Sequence, residues 1–167
     1  MEKSLKLRAP EPADLDALYL WENDPEISRY GSAVAPYSRA LLWAYINSYD
    51  ADPFHAEQLR LMIDVDGETC GAIDLYNVDG KNLRAFVGIV VDKTKRGQGI
   101  GKAALQALSD YCCASLGLHQ LVAVVPEPNV HSIELFESAG FENVASLTQW
   151  VRLGKEFVNA RLLCKIL

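Results

Sequence analysis

The segment Lys93-Thr-Lys-Arg-Gly-Gln-Gly-Ile-Gly-Lys102 combines the residue types needed to hold a polyanion. Gly97, Gly99 and Gly101 free the backbone to turn its N–H groups inward and let a ligand come close. Residues 92–102 set four cations (Lys93, Lys95, Arg96, Lys102) against Asp92, an excess of +3 inside a chain of formal net charge −6. A helical pattern begins at Gly101, so the loop also meets the donor-rich, positive end of a helix. These features point to phosphate, and the spacing narrows which kind. Three residues separate Gly97 from Gly101-Lys102, and Ala103 follows. A nucleotide P-loop needs four there and then Ser or Thr. Nor is Gly97-x-Gly99-x-Gly101 the G-x-G-x-x-G of a dinucleotide fold.

Such a loop needs a strand to deliver it and a helix to leave from it. Leu59, Leu61, Ile63 and Val65 alternate with Arg60, Met62 and Asp64, which is a half-buried strand. Asp66-Gly67 signals a hairpin, and a second strand from 69 to about 78 ends at another such turn, Asp79-Gly80. A third strand over 83–91 feeds the loop. Beyond it, Ala104, Leu105, Leu108, Tyr111, Cys112 and Leu116 share one face of a helix over 101–116. Residues 121–125 form an apolar run before Pro126, the pattern of a strand buried on both faces. Residues 132–139 read as a short helix closed by Gly140, and strands at about 142–153 and 156–166 flank Gly154-Lys155. Upstream, 5–8 alternates as a short strand, and 14–21 is a helix that Asp24-Pro25 ends. Ser38 then caps a helix through Leu41, Leu42, Tyr45, Ile46 and Tyr49, which Asp52-Pro53 closes. The order β-α-α-β-β-β-α-β-α-β-β predicts an α/β (α+β) fold: a mixed, mostly antiparallel sheet of about seven strands with helices on both faces.

Composition removes several function classes. With 167 residues, 50% apolar and 23% charged, the chain suits one well-filled core over 1–167 and excludes collagen-like, low-complexity and disordered readings. Sixteen Lys and Arg against 22 Asp and Glu repel phosphate backbones and anionic lipids, so neither nucleic acid nor membrane is expected as a partner. No apolar run approaches the ~20 residues of a membrane span. The first eight residues alternate charge with leucine where a signal peptide would need an apolar block. Cys70, Cys112, Cys113 and Cys164 lack C-x-x-C spacing and read as reduced thiols of a cytoplasmic protein. His119 and His131 have no partner at ligand spacing, so no metal is expected.

Arg96-Gly-Gln-Gly-Ile-Gly101 matches the pattern R/Q-x-x-G-x-G/A. Asn129-Val-His-Ser132-Ile-Glu-Leu-Phe-Glu-Ser-Ala-Gly-Phe141 resembles N-x-x-S-x-x-L-(Y/F)-x-x-x-G-F. In this order the two are similar to the acetyl-CoA loop and the later helix of the GNAT N-acetyltransferase superfamily, and the resemblance spans essentially the whole chain. Trp21-Glu-Asn-Asp-Pro-Glu26, Arg84-Ala85 and Leu116-Gly-Leu-His119 resemble the branch holding spermidine and ribosomal-protein N-terminal acetyltransferases.

The resemblance implies acetyl-CoA as co-substrate, its pantetheine arm inserted between the strand before the loop and the next one. Ile89, Val90 and Val91 would pair with the arm's amides. One of their N–H groups would polarise the thioester carbonyl, a role worth about 3–4 kcal/mol in comparable sites. Arg96, Gly97, Gln98, Gly99, Ile100, Gly101 and Lys102 would hold the pyrophosphate. Asn129 would bond the pantetheine, with Ser132 capping the helix nearby and Phe136 beside them. Gly88 suits a strand position that another backbone approaches. A primary amine would attack directly in a ternary complex. With an unperturbed pKa near 10.4, only about one molecule in 2,500 is neutral at pH 7, so a base, a water chain or desolvation must supply the free amine.

Many relatives carry Glu where this chain has Phe86 and Tyr where it has Phe136, so the usual base and acid do not carry over. Asp74 and Tyr76, two apart and on one strand face, are the remaining catalytic candidates. Glu22, Asp24 and Glu26 form an acidic cluster able to hold a polycation. The charge of −6 leans the acceptor toward a polyamine or another cationic small molecule. A protein N-terminus is the alternative acceptor, and a non-catalytic acyl-CoA-binding module is the rival from another class. Homodimers are common among fold relatives.

Overall fold

The structure, a computed structural model, describes residues 4–31 and 34–167. Strands Leu5–Arg8 (β1), Gln58–Val65 (β2), Glu68–Asp79 (β3), Arg84–Val91 (β4), Gln120–Pro126 (β5), Glu142–Leu153 (β6) and Glu156–Ile166 (β7) build one sheet. Their spatial order is β1-β2-β3-β4-β5-β7-β6. Helices are Leu15–Glu22 (α1), Pro25–Ser28 (α2), Arg39–Asn47 (α3), Pro53–Ala56 (α4), Ile100–Ala114 (α5) and Val130–Ser138 (α6). Every neighbouring pair is antiparallel except β4 with β5, which matches the mixed sheet expected.

Strand alternation sends side chains to two cores. Leu59, Ile63, Ile73, Leu75 and Val87 pack under α5 and α6 with Leu105, Leu108 and Phe136. Met62 and Ala72 face the other way, against Leu18 and Trp21 of α1 and Leu42 and Ile46 of α3. Residues an even number of positions from Met62 and Ala72 share that second face. Arg60 and Asp74 are therefore placed on it, and they stand directly opposite each other across β2 and β3. Tyr76 and Gly88 follow on the same side.

Four boundaries differ from the sequence reading, each for a local reason. Asp24-Pro25 and Asp52-Pro53 do not simply stop helices; each starts a one-turn helix. The aspartate carboxylates accept from Glu26 N (2.8 Å) and from Phe54 N (3.0 Å), and proline stands at the first helical position. Tyr49 lies past the end of α3, and its hydroxyl donates to the Arg60 carbonyl at 2.6 Å. Helix α6 begins at Val130, so Asn129 is its N-cap and Ser132 sits inside the first turn.

Within the sheet itself, the glycine that a neighbouring strand crowds is Gly71, not Gly88. At Gly88 an added Cβ would meet only a ring carbon of Tyr76 at 3.8 Å, so no backbone crowds that position. The close approach is at Gly71 on β3, where a Cβ would lie 2.3 Å from the Val90 carbonyl oxygen. Only glycine lets β3 come this close to the end of β4. Gly71→Ala is expected to lower stability by about 1–3 kcal/mol in denaturant titration, the cost of overpacking against backbone. Gly88→Ala should cost less, and equal costs would show that the sheet relaxes freely at Gly71.

Candidate functional site

Strand β5 pairs with β7 along its whole length, Gln120 to Pro126 against Ile166 to Ala160. Against β4 it pairs only at Arg84, Ala85 and Phe86, with Gln120, Leu121 and Val122 opposite. Beyond Phe86 the two strands part. A cleft of about 2350 Å³ opens there, and Gly88–Val91, the glycine loop, the start of α6, the α1–α2 segment and Trp150–Arg152 of β6 line it. The splay expected around Ile89, Val90 and Val91 is thus present, and these three half-buried residues border it.

At the mouth, Gly97 (φ +73) and Gly99 (φ +78) take left-handed conformations, with no heavy atom within 4 Å of an added Cβ. Gly99 is the N-cap of α5 and offers no side-chain acceptor to the first-turn N–H groups. Gly101 serves a different purpose. A Cβ there would stand 3.1 Å from Leu135, so this glycine lets α5 pack on α6. Ile100 is buried in the core, while Gln98 is exposed on the turn. Lys102 is exposed and has no carboxylate partner among the described residues.

The other loop cations are engaged. Arg96 Nη1 lies 2.6 Å from Glu26 Oε1, Lys93 Nζ lies 2.8 Å from Asp24 Oδ2, and Lys95 Nζ lies 2.7 Å from Glu68 Oε2. Hydrogen bonding with Lys93 holds the Asp24 carboxyl below its usual range, and bonding with Arg96 does the same for Glu26. The expected acidic cluster is therefore neutralised inside the protein, not left to solvent.

Asn129 borders the cleft and makes no side-chain cap bond, whereas Ser132 does not cap the helix; its N–H donates to the Asn129 carbonyl at 3.2 Å. Phe136 is 3% exposed and packs edge-on against Phe141 with ring centres 5.0 Å apart. It touches the cleft from the core side.

Asp74 is not a plain solvent-facing carboxylate. Arg60 grips it with two bonds, Nε to Oδ1 at 2.7 Å and Nη2 to Oδ2 at 2.9 Å, and Nη1 reaches Glu22 Oε1 at 2.5 Å. Burial opposes the charge of Arg60, but Asp74 and Glu22 outweigh it and raise the guanidinium pKa. The Tyr45 ring lies 5.8 Å from the same guanidinium. The strand pattern alone did not show Arg60, whose partners lie 38 and 14 residues away. Tyr76 stands beside Phe86, ring centres 5.6 Å apart, and burial pushes its phenol pKa up. Across the cleft Trp21 Nε1 donates to Asp92 Oδ2 at 2.9 Å, tying α1 to the base of the loop.

None of the four cysteines lines the cleft, and burial pushes the Cys112 thiol up to about 12. Among the described residues no group of His, Cys, Asp and Glu could hold a metal ion, and no helix is long and apolar enough to cross a membrane.

A sheet opened at its single parallel pair, with a glycine turn and helix N-terminus at the opening, is the build of an acetyltransferase. The chain belongs to the acetyltransferase (GNAT) domain family, whose family model matches residues 4–142. It is 25% identical over 161 residues to the spermidine N(1)-acetyltransferase of Escherichia coli strain K12, covering 96% of this chain and 85% of that one. Over 124 residues, 74% of this chain and 62% of the relative, it is 28% identical to the putative ribosomal N-acetyltransferase YdaF of Bacillus subtilis. The fold is shared with Vibrio cholerae spermidine N-acetyltransferase solved with CoA and spermine (TM-score 0.85, 22% identity, 97% and 95% coverage). It is also shared with Mycobacterium smegmatis RimJ solved with CoA-disulfide (TM-score 0.86, 21% identity, 97% and 81% coverage).

The Arg60 clamp makes a direct prediction. Arg60→Met leaves two carboxylates of 24% and 29% exposure without their partner. It should lower stability by about 3 kcal/mol, the low end for breaking a buried pair because these groups are part-exposed. Asp74→Asn, which keeps the Glu22 bond, should cost about 1–2 kcal/mol. Denaturation midpoints equal to wild type for both would show that water replaces the clamp without loss.

Proposed function

We propose that the protein is an acetyl-CoA-dependent N-acetyltransferase acting on a primary amine, with residues 1–167 working as one domain. The observation that carries this reading is the parting of β4 from β5 after Phe86, with the Gly97–Gly99 turn at its mouth. An extended arm with amides fits between strands that have stopped pairing, because it can add to the exposed edge of a ladder. In this reading Ile89, Val90 and Val91 offer that edge, and one of their N–H groups faces the thioester oxygen. Gly97 through Gly101 and Lys102 hold the diphosphate by backbone N–H groups and one cation. Asn129 bonds the pantetheine from the start of α6. The Vibrio structure in complex with CoA and the Mycobacterium structure in complex with CoA-disulfide support that assignment.

For the acceptor we favour a polyamine or another cationic small molecule. Glu22, Arg60 and Asp74 leave one net negative charge on the cleft wall. The curated spermidine acetyltransferase relative and the spermine named with the Vibrio structure point the same way. The amine nitrogen bonds to the thioester carbon, the C–S bond breaks, and the thiolate leaves as CoA. Both oxygens of Asp74 already accept from Arg60, so its role is to orient an ammonium more than to take its proton. Tyr76, kept protonated by burial, can donate to the departing thiolate.

Thiol release from acetyl-CoA, measured against an amine panel that includes spermidine and an N-terminal peptide, tests the activity. Intersecting double-reciprocal lines are expected, since no cysteine lies on the thioester path. Parallel lines would indicate an acetyl-enzyme, and no release with any amine would leave only a binding module. Gly99→Val should abolish CoA binding by filling the approach to the turn, with a folding cost of about 1–2 kcal/mol from a left-handed φ. Unchanged affinity in the folded variant would remove the loop from the site.

Phe136→Tyr offers a separate check on proton transfer. A true acid contributes about 10²–10⁴-fold. If Phe136 stands in place of the usual acid, kcat of the Phe136→Tyr variant should stay within about tenfold of wild type or rise. A larger fall would show that the Phe136 ring itself is needed.

A further inference from the structure

The bonds that join the loop to the acceptor side of the cleft are more specific than surface ion pairs scattered by chance. Glu26 is placed by the Asp24 cap, whose Oδ1 accepts from Glu26 N at 2.8 Å. The wall carrying both is tied down by Trp21, which donates to Asp92 Oδ2 at 2.9 Å. From there Glu26 Oε1 meets Arg96 Nη1 at 2.6 Å, and Glu26 Oε2 meets Lys93 Nζ at 3.0 Å. Arg96 Nε donates at the same time to the Val91 carbonyl at 3.1 Å, at the end of the strand proposed to receive pantetheine. One guanidinium thus joins α2, the end of β4 and the Gly97–Gly99 turn. A diphosphate drawn to that turn would approach the same guanidinium, and two anions on one donor edge repel each other.

We propose that Glu26 is a positioning residue for the co-substrate loop. Its carboxylate competes with the CoA diphosphate for Arg96, so the Glu26–Arg96 bond parts when CoA binds. The inference rests on reading the loop as the CoA site. Parting of that bond loosens the segment after α1, whose Ile27 and Tyr30 line the same cleft, while Lys93 still holds Asp24 and Glu26. Arrival of the co-substrate is thereby coupled to the wall that an acceptor must meet, and the coupling is reciprocal.

Titration calorimetry with CoA on the full chain at low salt tests this, using wild type, Glu26→Gln and Glu22→Gln. Glu22 is the matched control, because it carries the same charge in the same cleft but is paired with Arg60. Glu26→Gln should bind CoA about two- to fivefold tighter than wild type, the range of an exposed ion pair, with Glu22→Gln close to wild type. The gain should shrink as salt rises. A merely structural Glu26 would give weaker binding on substitution, never tighter. Equal or weaker binding by Glu26→Gln overturns the proposal, as does an equal gain in both variants, which would reflect overall charge. If the folded wild type and both variants all fail to bind CoA, the reading of the loop itself falls, and this inference falls with it.

Discussion

Everything in the site follows from β5 having one partner for its full length and another for three residues. Seven register pairs bind β5 to β7, and three bind it to β4. The buried run Leu121, Val122 and Ala123 fixes β5 in the core, so β4 is the strand that diverges. Its terminal residues then lose ladder partners on one side while β3 holds them on the other. Gly71 is the condition for that hold, since any Cβ there would strike the Val90 carbonyl. The backbone groups exposed by the parting need partners, and an extended ligand can supply them. The cleft is therefore a consequence of sheet topology before any side chain is considered.

Charge is organised by the same geometry. A chain of net charge −6 carries a local cationic loop, and unshielded, that loop would bind any anion at hand. Among the described residues Asp24, Glu26 and Glu68 meet Lys93, Arg96 and Lys95, while Lys102 has no carboxylate partner. On the sheet surface Arg60 performs the complementary task for Glu22 and Asp74. Each carboxylate that borders the cleft is held in place by a cation from another element. The energetic worth of the exposed pairs is small, so their value lies in where they fix the side chains.

The sequence made the local parts of this arrangement legible and left the tertiary parts hidden. Asp66-Gly67, the alternation of β2 and the apolar run of β5 are short-range signals, and the structure reproduces them. The glycine loop was readable because its chemistry sits within ten consecutive residues. Asp24-Pro25 and Asp52-Pro53 were ambiguous, since the same dipeptide ends one helix and caps the next. The packing roles of Gly101 and Gly71 were hidden for a different reason. Their roles depend on Leu135 and on Val90, neighbours that sequence spacing does not reveal. Arg60 escaped notice because a polar residue on a strand face looks solvent-exposed until α1 brings Glu22 over it.

Proton transfer in such a cleft has few side chains to rely on. The cleft wall holds Phe136, a carboxylate already gripped by Arg60, and a phenol that burial keeps protonated, while Phe86 packs against that phenol. Such surroundings would act on an incoming amine in opposite senses. Apolar contact with Val90 would disfavour the ammonium by desolvation, and the Arg60 guanidinium would disfavour it by like charge. Asp74 and Glu22 act in the opposite sense and draw the cation in. On the function proposed above, an acceptor would be drawn in as an ammonium and desolvated beside the thioester, so that Asp74, held by Arg60, need not serve as a strong base. On that reading the amine proton would pass to solvent at the open side of the cleft, and Tyr76, kept protonated by burial, would serve the thiolate.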